Sequence, residues 1–199
     1  MNIIYLLFHG LSPYSGISKK ILHQVKGFEA CGHRVSLCTY SIADNGHRVR
    51  MINNEIIEDY GTGKPAAAKR RVSYQCIYRY AITHQVELIY VRSFHNANPF
   101  TIRLFSKLRK AGIKIAMEIP TYPYDSEYAG FPLVTRLGIQ VDKVFRKTLA
   151  KHVNAIVTFS DYHCIFGQRT IQISNGVDFD SIPLKKTVSK NTSVIHLLG

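Results

Sequence analysis

The sequence predicts an α/β fold, a Rossmann-like doubly wound domain with a mainly parallel sheet and helices on both faces. Apolar runs of strand length alternate along the chain with segments whose apolar residues recur every three or four positions. That alternation is the pattern of βαβ units. Residues 3–8 are apolar without interruption, as expected of a strand that is buried on both faces of a parallel sheet.

The first βαβ unit extends from the N-terminus to about residue 40. A turn-rich loop over residues 9–16 separates the first strand from a helix whose apolar positions have helical spacing. Gly32 ends that helix, and residues 35–40 form the second strand. Asn53-Asn54 then predicts a tight turn between two short strands within residues 47–60.

The rest of the chain continues the alternation. Pro65 suits the first turn of a helix and opens one that we expect to continue to about residue 85. Asn98-Pro99 opens another helix, which Gly112 closes. The remaining predicted elements are strands over residues 88–91, 114–119, 155–159 and 170–173, and a helix within residues 132–152.

The net charge of +13 at pH 7 is concentrated in one part of the chain. Residues 64–114 contain eleven basic side chains and a single acidic one, Glu87, which indicates an anionic partner for one face. Basic residues there are interleaved with tyrosines, a combination that suits an anionic bilayer surface. The alternatives are a solvated helix face and a nucleic-acid-binding surface. The predicted membrane face consists of Arg70, Arg71, Tyr74, Tyr78, Arg103, Lys107 and Lys110.

Other classes of protein are disfavoured by the motifs that the sequence lacks. It has no apolar run of membrane-spanning length and no basic segment before its first apolar run, so we expect a cytoplasmic chain, peripheral on the inner face of the plasma membrane. Neither the four cysteines nor the nine histidines have metal-ligand spacing, so no metal site is expected. The absence of dinucleotide, Walker and nucleic-acid-binding motifs argues against dehydrogenases, P-loop enzymes and specific nucleic-acid binding.

Polar residues follow several predicted strands, and open α/β sheets bind their ligands at the carboxyl ends of strands. Ser15, Gly16 and Ile17 precede the first helix, where backbone N–H groups approach a phosphate; the alternative is a simple tight turn. Arg92 and Glu118 also lie at strand ends, where they either face a cleft or pair with each other. The other candidate cleft residues are His9, His95 and Ser160.

A stiff aromatic loop follows the strand that ends at residue 119. Two prolines limit its freedom, and its tyrosines offer flat surfaces and hydroxyl groups that suit sugar recognition. The alternative is a loop whose tyrosines cover the edge of the core. The candidate acceptor residues of this loop are Tyr122, Tyr124, Asp125 and Glu127.

Taken together, these segments resemble one known family. The segments that carry the resemblance are GISKKI at 16–21, GHRV at 32–35, EIPTYPY at 118–124, AIVTFS at 155–160 and ISNGVD at 173–178. In this order they are similar to the N-terminal domain of retaining glycosyltransferases of GT-B fold, family 4 or group 1 type. The EIPTYPY segment resembles a bacterial subgroup that builds surface polysaccharides.

The resemblance implies metal-independent, retaining transfer of a sugar from a nucleotide-sugar donor, such as a UDP- or GDP-sugar, to a glycan or lipid-linked acceptor. It implies no cofactor beyond that co-substrate. Residues 1–183 would form the acceptor domain, 184–193 a linker, and 194–199 the first strand of a donor domain that continues beyond this chain. The chain alone would then be inactive.

The family's functional positions also carry over. Ser15, Gly16 and Ile17 correspond to the loop near the donor phosphate, and Arg92 matches a cleft-facing position. Glu118 stands where many members have a histidine close to the reacting centre, and is the catalytic candidate. The segment with Asn175, Gly176 and Asp178 precedes the interdomain hinge. The alternative function is a non-enzymatic nucleic-acid or anion-binding α/β module.

Overall fold

The computed structural model describes residues 1–12, 14–92, 96–124, 130 and 133–174. Nine strands are present in this part of the chain: β1 (Asn2–Leu6), β2 (Arg34–Ile42), β3 (Arg48–Ile52), β4 (Glu55–Asp59), β5 (Leu88–Arg92), β6 (Lys114–Ile119), β7 (Ala155–Thr158), β8 (Cys164–Ile165) and β9 (Gln168–Gln172). Five helices accompany them: α1 (Gly16–Ala30), α2 (Gly63–Val72), α3 (Gln75–Thr83), α4 (Pro99–Lys110) and α5 (Leu133–Ala150).

The strands form one sheet in the order β4-β3-β2-β1-β5-β6-β7-β9-β8. Neighbouring strands from β2 to β9 in that order pair in parallel. At the two ends of the sheet the pairing is antiparallel: β3 with β2, β4 with β3, and β8 with β9. This arrangement confirms the predicted Rossmann-like α/β fold. The chain adds β2 on one side of β1 and β5 on the other, so the winding direction reverses between β1 and β5.

Helices cover both faces of the sheet. On one face, Ile21 and Val25 of α1 pack with Tyr5 of β1 in a small core cluster. On the other, Leu104 and Leu108 of α4 belong to a larger cluster that also includes residues of α3 and α5. Apolar residues of the central strands face both clusters, which explains why β1 is apolar at every position from Ile3 onward.

The predicted hairpin is confirmed, and the predicted long helix is wrong. Asn53 and Asn54 both have positive φ, 49° and 70°, as a type I′ turn requires. The helix expected over residues 65–85 is instead α2 and α3, which are separated at Ser73 and Tyr74. Ser73 is extended there, and the side chain of Tyr74 enters the core, where its ring packs edge-on against Phe8 at 5.8 Å.

Three predictions for the C-terminal part of the chain lie outside the described residues: the linker over 184–193, the strand over 194–199 and the hinge residues. In the part of the chain that the structure does describe, every helix is too short or too polar to cross a bilayer.

The first turn of α4 offers a direct test of the helix boundary. The Asn98 side chain accepts hydrogen bonds from the backbone N–H groups of Phe100 and Thr101, at 2.9 and 3.1 Å, and Thr101 Oγ1 accepts one from the Asn98 N–H. We expect Asn98→Ala to lower the free energy of unfolding by about 1 kcal/mol, because such a cap satisfies otherwise unpaired N–H groups. Urea unfolding measures this. Arg103→Ala, an exposed change in the same helix, is the control and should cost less than about 0.5 kcal/mol; equal losses would contradict the capping role.

Candidate functional site

Two buried charges lie opposite each other at the carboxyl edge of the sheet. Arg92 ends β5, and Glu118 lies beside it in register on β6. Glu118 is completely buried and Arg92 is 7% exposed. The Arg92 guanidinium donates a hydrogen bond from Nη1 to Glu118 Oε1, so the two residues form a buried ion pair.

The second carboxylate oxygen of Glu118 is also fully engaged. Glu118 Oε2 accepts hydrogen bonds from the Tyr90 hydroxyl at 2.7 Å and from Gln24 Nε2 at 2.9 Å. The Tyr5 hydroxyl in turn donates to Gln24 Oε1. Burial, and then the negative charge of Glu118, raise the pKa of both Tyr5 and Tyr90, so these hydroxyls remain protonated donors. One carboxylate therefore joins β5, β6, β1 and α1.

This geometry does not support the catalytic assignment of Glu118. Its carboxylate is directed at Arg92, Tyr90 and Gln24, and it presents no surface to a substrate. The structural alternative, in which Arg92 and Glu118 pair with each other, is the one that the structure favours. We therefore treat the pair as a positioning device for the strand ends. One partner of Glu118 could have been recognised from the sequence. Gln24 is a polar residue beside Ile21 and Val25 on the apolar stripe of α1, so its position predicts that it faces the sheet.

The loop before α1 has room for a ligand. Ser15 is the N-cap of α1, and its hydroxyl accepts a hydrogen bond from the Ser18 N–H at 3.4 Å. The N–H groups of Gly16 and Ile17 donate to no described residue. Gly16 does not have a positive φ, and a Cβ added to it would meet no atom within 4 Å. Neither the backbone conformation nor the packing of the described residues requires glycine at this position.

The aromatic loop covers the core instead of facing solvent. Tyr124 is 7% exposed, and its hydroxyl donates to Asp142 Oδ2 at 3.1 Å. The ring of Tyr122 packs edge-on against Phe166 at 5.6 Å, and its backbone N–H donates to Ser160 Oγ at 3.0 Å. Tyr124 therefore covers the edge of the core, the alternative that the sequence left open, whereas Tyr122 and Ser160 remain half-buried.

The other predicted cleft residues are placed only in part. His9 is half-buried and follows β1, with its Nδ1 2.7 Å from the carbonyl oxygen of Gly10. The rest of the predicted cleft and hinge set lies outside the described residues: His95, Asp125, Glu127, Asn175, Gly176 and Asp178.

The predicted membrane face loses one of its seven members, because Tyr74 belongs to the core. The other six residues remain at least partly accessible. Among them, the half-buried Arg70 has its guanidinium 4.2 Å from the centre of the Tyr40 ring, and the Lys107 ammonium lies 5.6 Å from the centre of the Tyr78 ring. We call three of the exposed cations of α4 the basic face: Arg103, Lys107 and Lys110. The fourth, Arg109, donates a hydrogen bond to the carbonyl oxygen of Lys151.

Sequence reasoning missed two features of β2 and β3. Arg48 and Arg50 lie on the face of β3 that packs under α2. Their spacing in the sequence indicates this arrangement, because residues two positions apart in a strand point to the same face. On the opposite face of β2 and β3, a groove of about 470 Å³ has both apolar walls, such as Leu37 and Met51, and polar ones, such as Asn53 and Glu29. No group of three or more potential metal ligands occurs among the described residues.

The buried pair yields a prediction for stability. Arg92→Met leaves the Glu118 charge buried without its counterion, so we expect a loss of about 3–5 kcal/mol in the free energy of unfolding. Adding Glu118→Gln removes the stranded charge while keeping an acceptor for Tyr90, so the double variant should be more stable than Arg92→Met alone. Denaturant unfolding of both single variants and the double variant checks this. Losses that add to within about 0.5 kcal/mol would show that the two residues do not interact.

Comparison with known proteins adds no family to this geometry. No protein-family model matches the chain, and no curated protein is significantly similar to it. The function must therefore be argued from the residues of the chain itself.

Proposed function

We propose that the chain is the acceptor-side half of a retaining glycosyltransferase, which transfers a sugar from a nucleotide-sugar to a glycan or lipid-linked acceptor. The observation that carries the proposal is the open N-terminus of α1 beside the reversal point between β1 and β5. In doubly wound sheets, the crevice at such a reversal point binds the ligand. The resemblance of the sequence to family 4 glycosyltransferases supports the same reading.

The role of Gly16 follows from its surroundings. Glycine costs up to about 1 kcal/mol relative to alanine within a helix, and no atom of the described residues occupies the space of the missing side chain. Close approach of a ligand to the N–H groups of Gly16 and Ile17 explains why a side chain is absent. An anionic group is the ligand that such N–H groups and the positive end of the helix dipole attract. In a glycosyl transfer, this group is a phosphate of the donor.

The remaining residues take supporting roles in this proposal. Arg92 and Glu118 hold the ends of β5 and β6 at fixed positions beside the crevice, so the loops that follow them start from a rigid edge. The groove of about 470 Å³ has the size and mixed polarity of ligand sites in general, and sugars have both apolar and polar faces. Donor contacts other than those of Gly16 and Ile17 would come from a second domain.

A pair of glycine variants tests the proposal. Gly16 and Gly27 both lie in α1, and an added Cβ meets no atom within 4 Å at either site. Both Gly→Ala changes should therefore fold normally and keep or slightly raise the free energy of unfolding. In the product of the complete reading frame, Gly16→Ala should reduce sugar transfer from UDP- or GDP-sugars at least tenfold, because the methyl group keeps the phosphate away from the N–H groups. Gly27→Ala should leave transfer unchanged.

Two results would count against this assignment. Equal transfer by both variants would mean that no phosphate approaches Gly16. Absence of transfer from any nucleotide-sugar, with the wild-type protein folded, would favour the alternative of an anion-binding module without catalysis.

The basic face gives a second prediction, for the lipid-linked form of the acceptor. Replacing Arg103, Lys107 and Lys110 by Gln should weaken the free energy of binding to anionic vesicles, measured by sedimentation, by about 3 kcal/mol. Each cation near the surface contributes ~1 kcal/mol. Binding should also weaken with salt, because the Debye length is about 10 Å at 0.1 M. Arg34→Gln, which removes an exposed arginine from the start of β2, is the control. Equal binding to neutral and anionic vesicles, or preferred binding to duplex DNA, would contradict membrane docking.

A further inference from the structure

Three arginines converge beneath α2, and we call them the arginine cluster: Arg48, Arg50 and Arg70. Arg50 Nη1 donates to the carbonyl oxygen of Leu7 at 2.7 Å, and Arg48 Nη1 donates to the Tyr40 hydroxyl at 2.7 Å. The Arg70 guanidinium lies over the ring of the same Tyr40. Two strand residues and one helix residue thus direct their charges to one place around Tyr40.

The charge of this cluster is not balanced by the protein that the structure describes. Arg50 is 1% exposed, yet no described carboxylate forms an ion pair with any of the three arginines. The Nε atoms of both Arg50 and Arg70 are buried without a hydrogen-bond acceptor. Burying an unpaired cation strongly destabilises a fold, so a buried arginine without a counterion indicates a function for its charge.

Neighbouring thiol and phenol groups do not supply the missing negative charge. Burial raises the pKa of the Cys38 thiol to about 12 and also raises the pKa of the Tyr60 hydroxyl, so both are neutral near pH 7. The cations also repel one another at Arg70. Burial lowers the pKa of Arg70, the Tyr40 hydroxyl raises it, and the nearby charges of Arg71, Arg48 and Arg50 lower it again. The faces of Phe8 and Tyr40 attract cations but accept no conventional hydrogen bond from them.

The location of the cluster is that of a ligand site. Arg50 binds the carbonyl of Leu7, which directly follows β1, and the Tyr40 N–H donates to the His9 carbonyl at 3.3 Å. The cluster therefore lies at the carboxyl end of β1, the same edge at which α1 begins. Arg48 and Arg70 are only half-buried, so solvent reaches the cluster from one side.

We propose that the arginine cluster is a binding site for a phosphate group. Guanidinium groups form paired hydrogen bonds with phosphate, and a phosphate dianion offers three accepting oxygens to three arginines. A carboxylate would offset a single charge and leave two cations unbalanced. The inference concerns a second anion site, separate from the N-terminus of α1, and it stands whether or not the chain belongs to a glycosyltransferase.

Thermal unfolding of the full chain at constant ionic strength tests the site, with inorganic phosphate as the probe and sodium chloride as the reference. A ligand that binds only the folded state raises Tm with its concentration. We expect phosphate to raise the Tm of the wild-type chain, and Arg50→Met to abolish that rise without lowering Tm in chloride, because the variant no longer buries an unpaired charge. Arg34→Gln, which removes an exposed arginine from the opposite edge, should keep the full rise.

Arg70→Gln keeps the test valid if Arg50→Met does not fold, since Arg70 is half-buried and on a helix surface. It should weaken phosphate binding at least tenfold in calorimetry, the change that about 1.4 kcal/mol produces. An equal response to phosphate in Arg34→Gln and Arg70→Gln would overturn the site, and so would a wild-type Tm that does not distinguish phosphate from chloride.

The origin of the phosphate can be separated in the same way. Vesicles of phosphatidylcholine with and without phosphatidic acid present a phosphomonoester on a membrane, whereas inorganic phosphate is free. Weaker sedimentation of Arg70→Gln with phosphatidic acid vesicles, relative to Arg34→Gln, would assign the site to a lipid headgroup. Unchanged sedimentation together with weakened phosphate binding would assign it to a soluble ligand, and no change in either would overturn the proposal.

Discussion

The completely buried carboxylate of Glu118 governs the edge of the sheet at which ligands would bind. A charge in that position is tolerated only because Arg92, Tyr90 and Gln24 satisfy both of its oxygens. Those three partners belong to β5 and α1, so the interaction fixes where α1 begins relative to the ends of β5 and β6. The open N-terminus of α1 owes its position beside β1 to this contact and to the packing of Ile21 and Val25.

The arginine cluster presents the opposite electrostatic situation a short distance along the same edge. There Arg50 is buried almost as deeply as Glu118, yet its Nε has no acceptor and no described carboxylate offsets its charge. Among the described residues, the buried charges of Arg92 and Glu118 are therefore satisfied by each other and their neighbours, whereas the charges of the arginine cluster are not. The first stabilises the edge of the sheet, and the second provides the binding energy for an anion from outside.

Most of the fold was predictable because local signals and tertiary structure agree. The apolar runs became central strands, Asn53-Asn54 formed its turn, and Asn98 with Gly112 marked the two ends of α4. The break between α2 and α3 was not predictable, because it depends on a contact between Tyr74 and Phe8, which lie far apart in sequence. The aromatic loop is ambiguous for a related reason. A tyrosine-rich segment has the same composition whether its rings cover a core or face a sugar.

The candidate site was predictable only as a location. Strand ends identified Arg92, Glu118 and the segment with Gly16. The position of Gln24 on the apolar stripe of α1 is a signal in the sequence, but only the tertiary fold shows that Gln24 and Tyr90 enclose Glu118. The arginine cluster was missed because its members come from β3 and α2, and only the tertiary fold brings them together. The excess of basic residues in the sequence lies in residues 64–114, and Arg48 and Arg50 are outside that segment.

Both proposed sites require that phosphate-bearing ligands bind at the carboxyl edge of the sheet around β1. Titrating the ¹⁵N-labelled chain with pyrophosphate, while following backbone amide and arginine Nε–H resonances by NMR, locates the binding surface directly. We expect the largest shifts at the amides of Gly16 and Ile17 and at the side chain of Arg50. Shifts confined to the opposite edge, around Gly32, Gly112 and Asn154, or no shifts at millimolar pyrophosphate, would contradict this expectation.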